Sequence, residues 1–501
     1  MVFHGQPSTA CLACRQRRLK CDRLPTGCSQ CRRKGIQCAG YRDPSALRIK
    51  DETARISGKF EQTTSVSDGE TGARVLPAPH GCSRKFGRGS PDGCIMVPLG
   101  DSPHNLSMAY FFTSYITATT FQSYLPAIFL DSPPTGDACS AAVEATALAA
   151  YSRRVRSRSH LKESRKRYTE ALAQANDLLS RPETAVLDRT LACVLVLGLF
   201  EAIVFEGGGP PASWTAHTNG SLQLLRLRGT RPFRSSLSRK LSLHASNNIK
   251  TSCIQRSVAV PDDFIVLDRK LRSFSQHDGP FVMFSPVMHE VASIKARALA
   301  DADCNLIHDA LRLDREILLL CKTVPDWLTY ETRPDAESPR WAYKRVCHRY
   351  TGVHAAKIWN SVRLLQVFLV SFIQEVVSPP PPQEAGAKWD LSRLRIPDPS
   401  KSLARYVAEL GDYARRSMDV IATDLLATLP TFMEGGDGGD GRRFAPVARS
   451  LAWPLAIVEC SDLSPEAARD FAFRQLDVLA GDLNMPEALH PTRWEDSVDD
   501  W

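Results

Sequence analysis

Six cysteines between Cys11 and Cys38 are separated by 2, 6, 6, 2 and 6 residues. Zinc takes four thiolate donors in a tetrahedron, with Zn–S bonds of about 2.3 Å. Six thiolates therefore complete two such sites only if two of them bridge both ions. The spacing also repeats: C-x2-C-x6-C occurs twice, mapping Cys11, Cys14 and Cys21 onto Cys28, Cys31 and Cys38. The expectation is a pseudo-twofold cluster of two Zn2+ ions, with the bridges at equivalent positions of the repeat. The spacing leaves open which pair bridges.

Cations interleave with the cysteines. Residues 1–50 hold eleven Lys/Arg against two Asp, a net +9 in a chain of 501 residues and net charge +8, so the other 451 residues stand at −1. Only this end is expected to seek a polyanion. Its two halves are unequal: the first has Arg15, Arg17, Arg18 and Lys20, and Gly35 and Gln37 stand where the second would match Arg18 and Lys20. The first helix is thus expected to enter the major groove of DNA. The second would brace it, with Arg32, Arg33 and Lys34 on phosphate. Arginine reads guanine O6 and N7 bidentately, whereas most other cations neutralise phosphate and fix position only.

Other uses of the same residues are less consistent with the sequence. A disulfide knot has this cysteine density, but MVFHGQPSTA carries no apolar secretion signal, and the total of fifteen cysteines is odd. Reduced thiols in an intracellular protein are expected. A zinc module for protein or RNA is disfavoured by the basic asymmetry, and RQRRLK could serve nuclear import as well as DNA contact.

The elements that must hold the ligands are short. Each half reads as a loop, a short helix and a return, with Ser29 an N-cap and Gly35 a stop for the second helix. Pro25 and Gly27 turn the chain between the halves. Leu19 and Ile36 take matching places and are expected to supply what apolar packing there is. So small a unit must draw its folding from the metal.

The spacing, the CR-x-RR-x-KC core and the loop proline resemble the fungal Zn2Cys6 binuclear-cluster transcription factors. The resemblance is highly specific but covers fewer than thirty residues. It implies that the first and fourth cysteines, here Cys11 and Cys28, bridge. One zinc would then take Cys11, Cys14, Cys21 and Cys28, the other Cys11, Cys28, Cys31 and Cys38. It also implies recognition of CGG-type triplets by the basic residues before the third cysteine, here Arg17, Arg18 and Lys20.

The rest of the chain is read as what controls this module. The expected divisions are a disordered tail at 1–9, the cluster domain at 10–43, a flexible linker at 44–103, an all-helical regulatory domain at 104–490 and an acidic, aromatic tail at 491–501. No heptad is sustained between Tyr41 and Gly69, so a homodimer, if formed, must be held further along. Helical spacing of apolar residues predicts helices at 108–129, 138–155, 161–179, 185–205 and 214–227. Others are predicted at 304–322, 341–377, 403–428, 446–460 and 465–483. Residues 230–290, rich in Ser and Arg, read as an insertion or long connection. Pro379–Pro382 and Gly435–Gly441 read as loops. No βαβ alternation is visible, so the large domain is expected to be all-α.

Within it, LACVLVLGLFEAIVF followed by SWTAHTNGSLQLLRLRG resembles part of the fungal-specific regulatory domain that often follows such clusters. This weaker resemblance implies a helical, ligand-responsive control region. Trp214 and His217 stand three apart there and read as core residues, since no partners for catalysis or metal are visible. RRVRSRSHLKESRKR (153–167) reads as a solvated helix junction, a second nuclear signal or another DNA contact, and RWEDSVDDW as a polar tail or an activation segment for coactivators. No enzyme motif is found, and the most apolar run, Leu191–Phe205, is too short to span a bilayer. The expected function is zinc-dependent, sequence-specific regulation of RNA polymerase II transcription in the nucleus, with double-stranded DNA and coactivators as partners. The alternative is a nuclear scaffold that its basic cluster merely localises.

Overall fold

The computed structural model describes residues 10–40, save 18, 23, 25, 26 and 39, and residues 102–485, save 118, 132–136, 206–211, 276–280, 334–341, 379–388 and 434–443. The expected tail 1–9, nearly all of the linker 44–103, the segment 491–501, Arg18, Pro25 and the loops at 379–382 and 435–441 lie outside the described residues. The chain forms two compact units, Met1–Asp51 and Glu52–Trp501.

The first unit contains two single-turn helices, α1 (Leu12–Gln16) and α2 (Ser29–Arg33). Isolated helices below about 12 residues are marginal in water, so neither stands by its own hydrogen bonds. Its buried interior is Cys11, Cys14, Cys28 and Cys31. Leu19 and Ile36 do not supply the packing expected of them: both are exposed, at 39% and 42%. Sulfur takes the place of an apolar core.

The second unit is helical, as its periodicity requires. Its helices are α3 (Pro103–Tyr110), α4 (Leu125–Leu130), α5 (Ala138–Val155), α6 (Arg158–Ser180), the single turn α7 (Pro182–Ala185), α8 (Asp188–Val204) and α9 (Ala212–Arg228). They continue with α10 (Ser236–Gln255), α11 (Asp262–Phe274), α12 (Phe281–Asp301), α13 (Leu306–Leu320), α14 (Val353–Val377), α15 (Leu403–Leu426), α16 (Ala452–Cys460) and α17 (Glu466–Leu483). Helix α5 shows the local logic. Asp137 caps its start by accepting the Ser140 N–H at 2.9 Å, and Arg156, left-handed at φ 54°, ends it. Helix α8 is apolar all round and is the buried axis against which α5, α6, α9 and α10 pack. Helix α14 does the same for α12, α13 and α15. It is long and apolar enough to cross a bilayer, but 78% of its most apolar window is buried within the protein.

Three expectations are corrected. The helix expected at 108–129 is divided into α3, a π-turn at Phe111–Tyr115, a 3-10 turn at Thr120–Ser123 and α4. The helix expected at 341–377 begins only at Val353. Lys344 and Arg345 take left-handed φ of 48° and 55°, and Cys347–Tyr350 (β2) pairs antiparallel with Tyr330–Arg333 (β1) in an otherwise helical unit. Residues 230–290 are not an insertion, because α10, α11 and the start of α12 belong to the core. Their periodicity is hidden by a polar buried face: Ser238, Ser242, Ser246, Lys250 and Ser252 of α10 are all buried, and Pro286 lies inside α12.

That polar face centres on Asp268 of α11. Its carboxylate accepts from Ser246 at 2.5 Å and Ser285 at 2.7 Å and pairs with the Lys250 ammonium at 3.4 Å. Burial opposes the charge, yet Lys250 and the two serines hold Asp268 below the usual carboxylate range. Both charged side chains are essentially inaccessible, at 1% for Lys250 and 0% for Asp268. Asp268→Ala leaves the ammonium buried without its counter-charge and is expected to cost about 3–5 kcal/mol of stability. A chemical-denaturation series followed by circular dichroism checks this, and the double change Lys250→Met/Asp268→Leu should recover most of the loss.

Candidate metal centre and nucleic-acid interface

Helices α1 and α2 begin one residue after Cys11 and Cys28, so the 17-residue sequence repeat is a structural repeat. The return after each helix is closed by the same backbone bond: the Leu19 N–H donates to the Cys14 carbonyl at 2.9 Å, and the Ile36 N–H to the Cys31 carbonyl at 3.1 Å. The cap of α2 is not Ser29, as expected, but Cys28, whose Sγ accepts the Cys31 N–H at 3.4 Å. A ligand-type sulfur thus replaces the usual hydroxyl. The Ser29 N–H goes instead to both carboxylate oxygens of Asp22, at 3.0 and 3.2 Å, and the Ser29 side chain together with these backbone bonds holds Asp22 below its ordinary range. Asp22 thereby pins the strand leaving Cys21 to the start of the second half. The sequence reading missed this contact; the only signal for it was an acidic residue in a basic stretch.

Gly27 carries the turn between halves. Its φ of +104° disfavours any L side chain, and a Cβ there would stand 3.3 Å from the Cβ of Cys38. Gly35, at φ +67°, ends α2 as expected.

The six sulfurs gather into two overlapping groups. Cys11, Cys14, Cys21 and Cys28 form one, and Cys11, Cys28, Cys31 and Cys38 the other, with the sulfurs of each within 4.8 Å of one another. The Cys11–Cys28 and Cys14–Cys28 separations are 3.6 Å, and Cys11–Cys31 is 3.7 Å. A ZnS4 tetrahedron with bonds of about 2.3 Å has edges of about 3.8 Å, whereas a disulfide needs about 2.05 Å. The spacing fits shared zinc ligands and excludes disulfides among these cysteines. The two residues common to both groups, Cys11 and Cys28, are fully buried at 0% exposure, while Cys21 and Cys38 at the outer ends are partly exposed.

The thiols already differ in acidity. The Cys31 backbone N–H, with help from neighbouring thiols, pulls Cys28 down to about 6. The side-chain bond between its own thiol and that of Cys28, together with desolvation, pushes Cys31 up to about 12. Bound zinc overrides such differences, since a coordinating thiol is deprotonated outright.

Of the expected DNA-contact residues, Arg17, Lys20, Arg32, Arg33 and Lys34 are exposed. Arg15 lies within α1, while Arg18 lies outside the described residues. Arg17 and Lys20 do not sit on the helix: α1 ends at Gln16, and they flank the return to Cys21. The basic run at 153–167 is built into the helical unit. Arg153 donates to the carbonyls of Ile203 and Phe205, Arg156 to that of Gly481, and Arg167 pairs with Glu144 and Glu163. His217 finds a partner that the sequence did not show, with its Nε2 3.1 Å from the Tyr168 hydroxyl.

Comparison with known families agrees with this geometry. Residues 9–48 match the fungal Zn(2)-Cys(6) binuclear cluster domain, and residues 112–262 match the fungal specific transcription factor domain. Neither a curated protein nor a solved structure matches the chain. The cluster domain binds two zinc ions and DNA, and both matched domains are those of transcription factors rather than enzymes. The chain is a zinc-dependent, DNA-binding transcription factor.

Gly27→Ala combines the disfavoured φ with pressure on Cys38 and should cost at least about 1 kcal/mol. The expected readout is several-fold faster loss of zinc to a chromogenic chelator, with the unfolding of the helical unit unchanged.

Proposed function

We propose that this chain, in which a Zn(2)-Cys(6) cluster domain precedes a fungal specific transcription factor domain, acts in the nucleus as a sequence-specific regulator of RNA polymerase II transcription. Cys11, Cys14, Cys21 and Cys28 hold one zinc ion, and Cys11, Cys28, Cys31 and Cys38 hold the other. The observation that carries this assignment is the overlap of the two sulfur groups at two buried, repeat-equivalent cysteines. Zinc here is structural. It fixes the halves face to face and supplies folding energy that the exposed Leu19 and Ile36 do not.

In this reading Arg17, Arg18 and Lys20 read a CGG-like half-site in the major groove. Arg15, Arg32, Arg33 and Lys34 neutralise phosphate and hold the register. The exposure of the described members of this set, Arg17, Lys20, Arg32, Arg33 and Lys34, supports their availability. The helical unit sets when the factor acts and holds any homodimer, and residues 491–501 dock coactivators.

Two experiments test the reading. Cys28→Ser should abolish binding of both zinc ions, while Cys38→Ser should impair mainly one; normal zinc stoichiometry in both variants refutes the ligand assignment. Selection from random duplex DNA should enrich GC-rich triplets, and enrichment of nothing refutes the functional reading. On the selected site, Arg18→Ala should relax base preference by about 1–3 kcal/mol per lost guanine contact. Arg33→Ala should weaken all sequences alike and lower the salt slope by about one.

A further inference from the structure

Between α8, α9 and α10 the helical unit has a pocket of about 160 Å³ that is partly open to solvent. Phe121, Val194, Leu195 and Leu199 form its apolar wall. A wholly aliphatic cavity of about 150 Å³ stays dry and admits benzene, so this one has room for a single ring. Its border is not aliphatic, however. Trp214 and His217 on α9, and His244 and Asn248 one turn apart on α10, also line it.

The hydrogen-bond network assigns the ring hydrogens of both histidines. The Tyr124 hydroxyl is 2.7 Å from His244 Nδ1 and has no other acceptor among the described residues. It must donate there, which leaves the hydrogen of the neutral imidazole on Nε2. Burial, reinforced by the Lys357 ammonium, keeps that ring neutral by pulling it down to about 4. Tyr168 donates to Glu201 at 2.5 Å, so its oxygen is free to accept the Nε2 hydrogen of His217, and His217 Nδ1 is left as an acceptor.

The border also holds further donors. Among the described residues, the Asn248 amide and the Trp214 indole N–H have no protein partner. A Cβ built on Gly198, itself in the cavity wall, would lie 3.9 Å from Trp214 Cδ1, so the indole lies against this wall. Lys357, whose charge is felt at His244, has no ion pair among the described residues, and burial brings it down to about 8. The site therefore offers three N–H donors beside one ring acceptor, His217 Nδ1, with the Lys357 charge felt at His244 and the Glu201 charge at His217, and its surplus of donors suits a ligand that brings acceptors.

We propose that this cavity binds a small carboxylate whose body is about the size of one ring, the carboxylate accepting from His244 Nε2, the Asn248 amide and the Trp214 indole. The ring-sized body packs on Phe121, Val194 and Leu199. This site is separate from the cysteine cluster, and its occupancy can be measured without DNA.

The test uses the full-length zinc-loaded chain with benzoate as probe and benzylamine and toluene as controls, read by calorimetric titration and ligand-observed NMR. Saturable binding of benzoate, at least tenfold tighter than either control, is expected. Asn248→Leu keeps the bulk but removes the amide, and should weaken benzoate at least tenfold. Gly198→Ala places a methyl in the wall at an ordinary 3.5 Å from His217 Cβ, so it should fold normally and still weaken benzoate several-fold. It decides the matter if Asn248→Leu does not fold. Absence of saturable benzoate binding, equal binding of benzylamine or toluene, or unchanged affinity in the folded variants overturns the proposal. DNA mobility shifts on the same samples report the cluster separately, so failure of one reading is not mistaken for failure of the other.

Discussion

The structure of the first unit depends on the convergence of Cys11 and Cys28. Their sulfurs lie 3.6 Å apart, and each belongs to both four-sulfur groups. Separating them would undo both groups together, because no other pair is common to the two. This explains why two single-turn helices and exposed leucine and isoleucine side chains suffice. Structural zinc contributes on the order of 10–16 kcal/mol to folding in small metal domains, far more than so little apolar surface could. Local devices then serve the sulfurs: the Cys28 cap, the paired returns at Leu19 and Ile36, the Asp22 brace and the left-handed Gly27.

The same constraint sets the charge available to DNA. Six thiolates and two Zn2+ ions together carry −2, so the metal-loaded first fifty residues present about +7 rather than +9. This still exceeds the net charge of the whole metal-loaded chain, about +6, because the remaining residues stand at −1. It is carried by side chains that point away from the sulfurs, since the described members of the basic set are exposed while the shared thiols are buried. A buried, slightly negative metal core beneath an exposed cationic surface suits a polyanion with little cost in self-repulsion.

What could be read from the sequence followed from how local each signal is. Cysteine spacing is absolute, because ligand number and geometry leave few arrangements, and all six metal candidates are brought together as expected. Helices α5, α6, α8 and α9 were equally legible, since apolar residues at helical spacing run through them, and Asp137 and Ser157 cap the first two. Helix α10 was not: it buries serines, a histidine and a lysine, whose partners Asp268 and Ser285 lie 18 and 35 residues further on. The Cys28 cap was missed because sulfur is not an ordinary capping group. The cavity border was invisible for a similar reason, as Tyr124 and His244 meet across 120 residues.

The two units are stabilised by different physics, and this limits how one can govern the other. The cluster is held by metal bonds internal to residues 11–38, so a ligand in the helical unit has no direct hold on its fold. A single carboxylate changes a nearly neutral unit by only one charge. An occupant of the α8–α9–α10 cavity can shift only those populations of the helical unit for which its affinity differs. Helix α8 is the means at hand, because it forms the cavity wall and is also the buried axis for α5, α6, α9 and α10. A close-packed interior answers a wedge at such an axis by moving whole helices rather than by local compression. Control by a ligand would therefore be exerted on the surface that the helical unit shows to partners, leaving the chemistry of the zinc cluster unchanged.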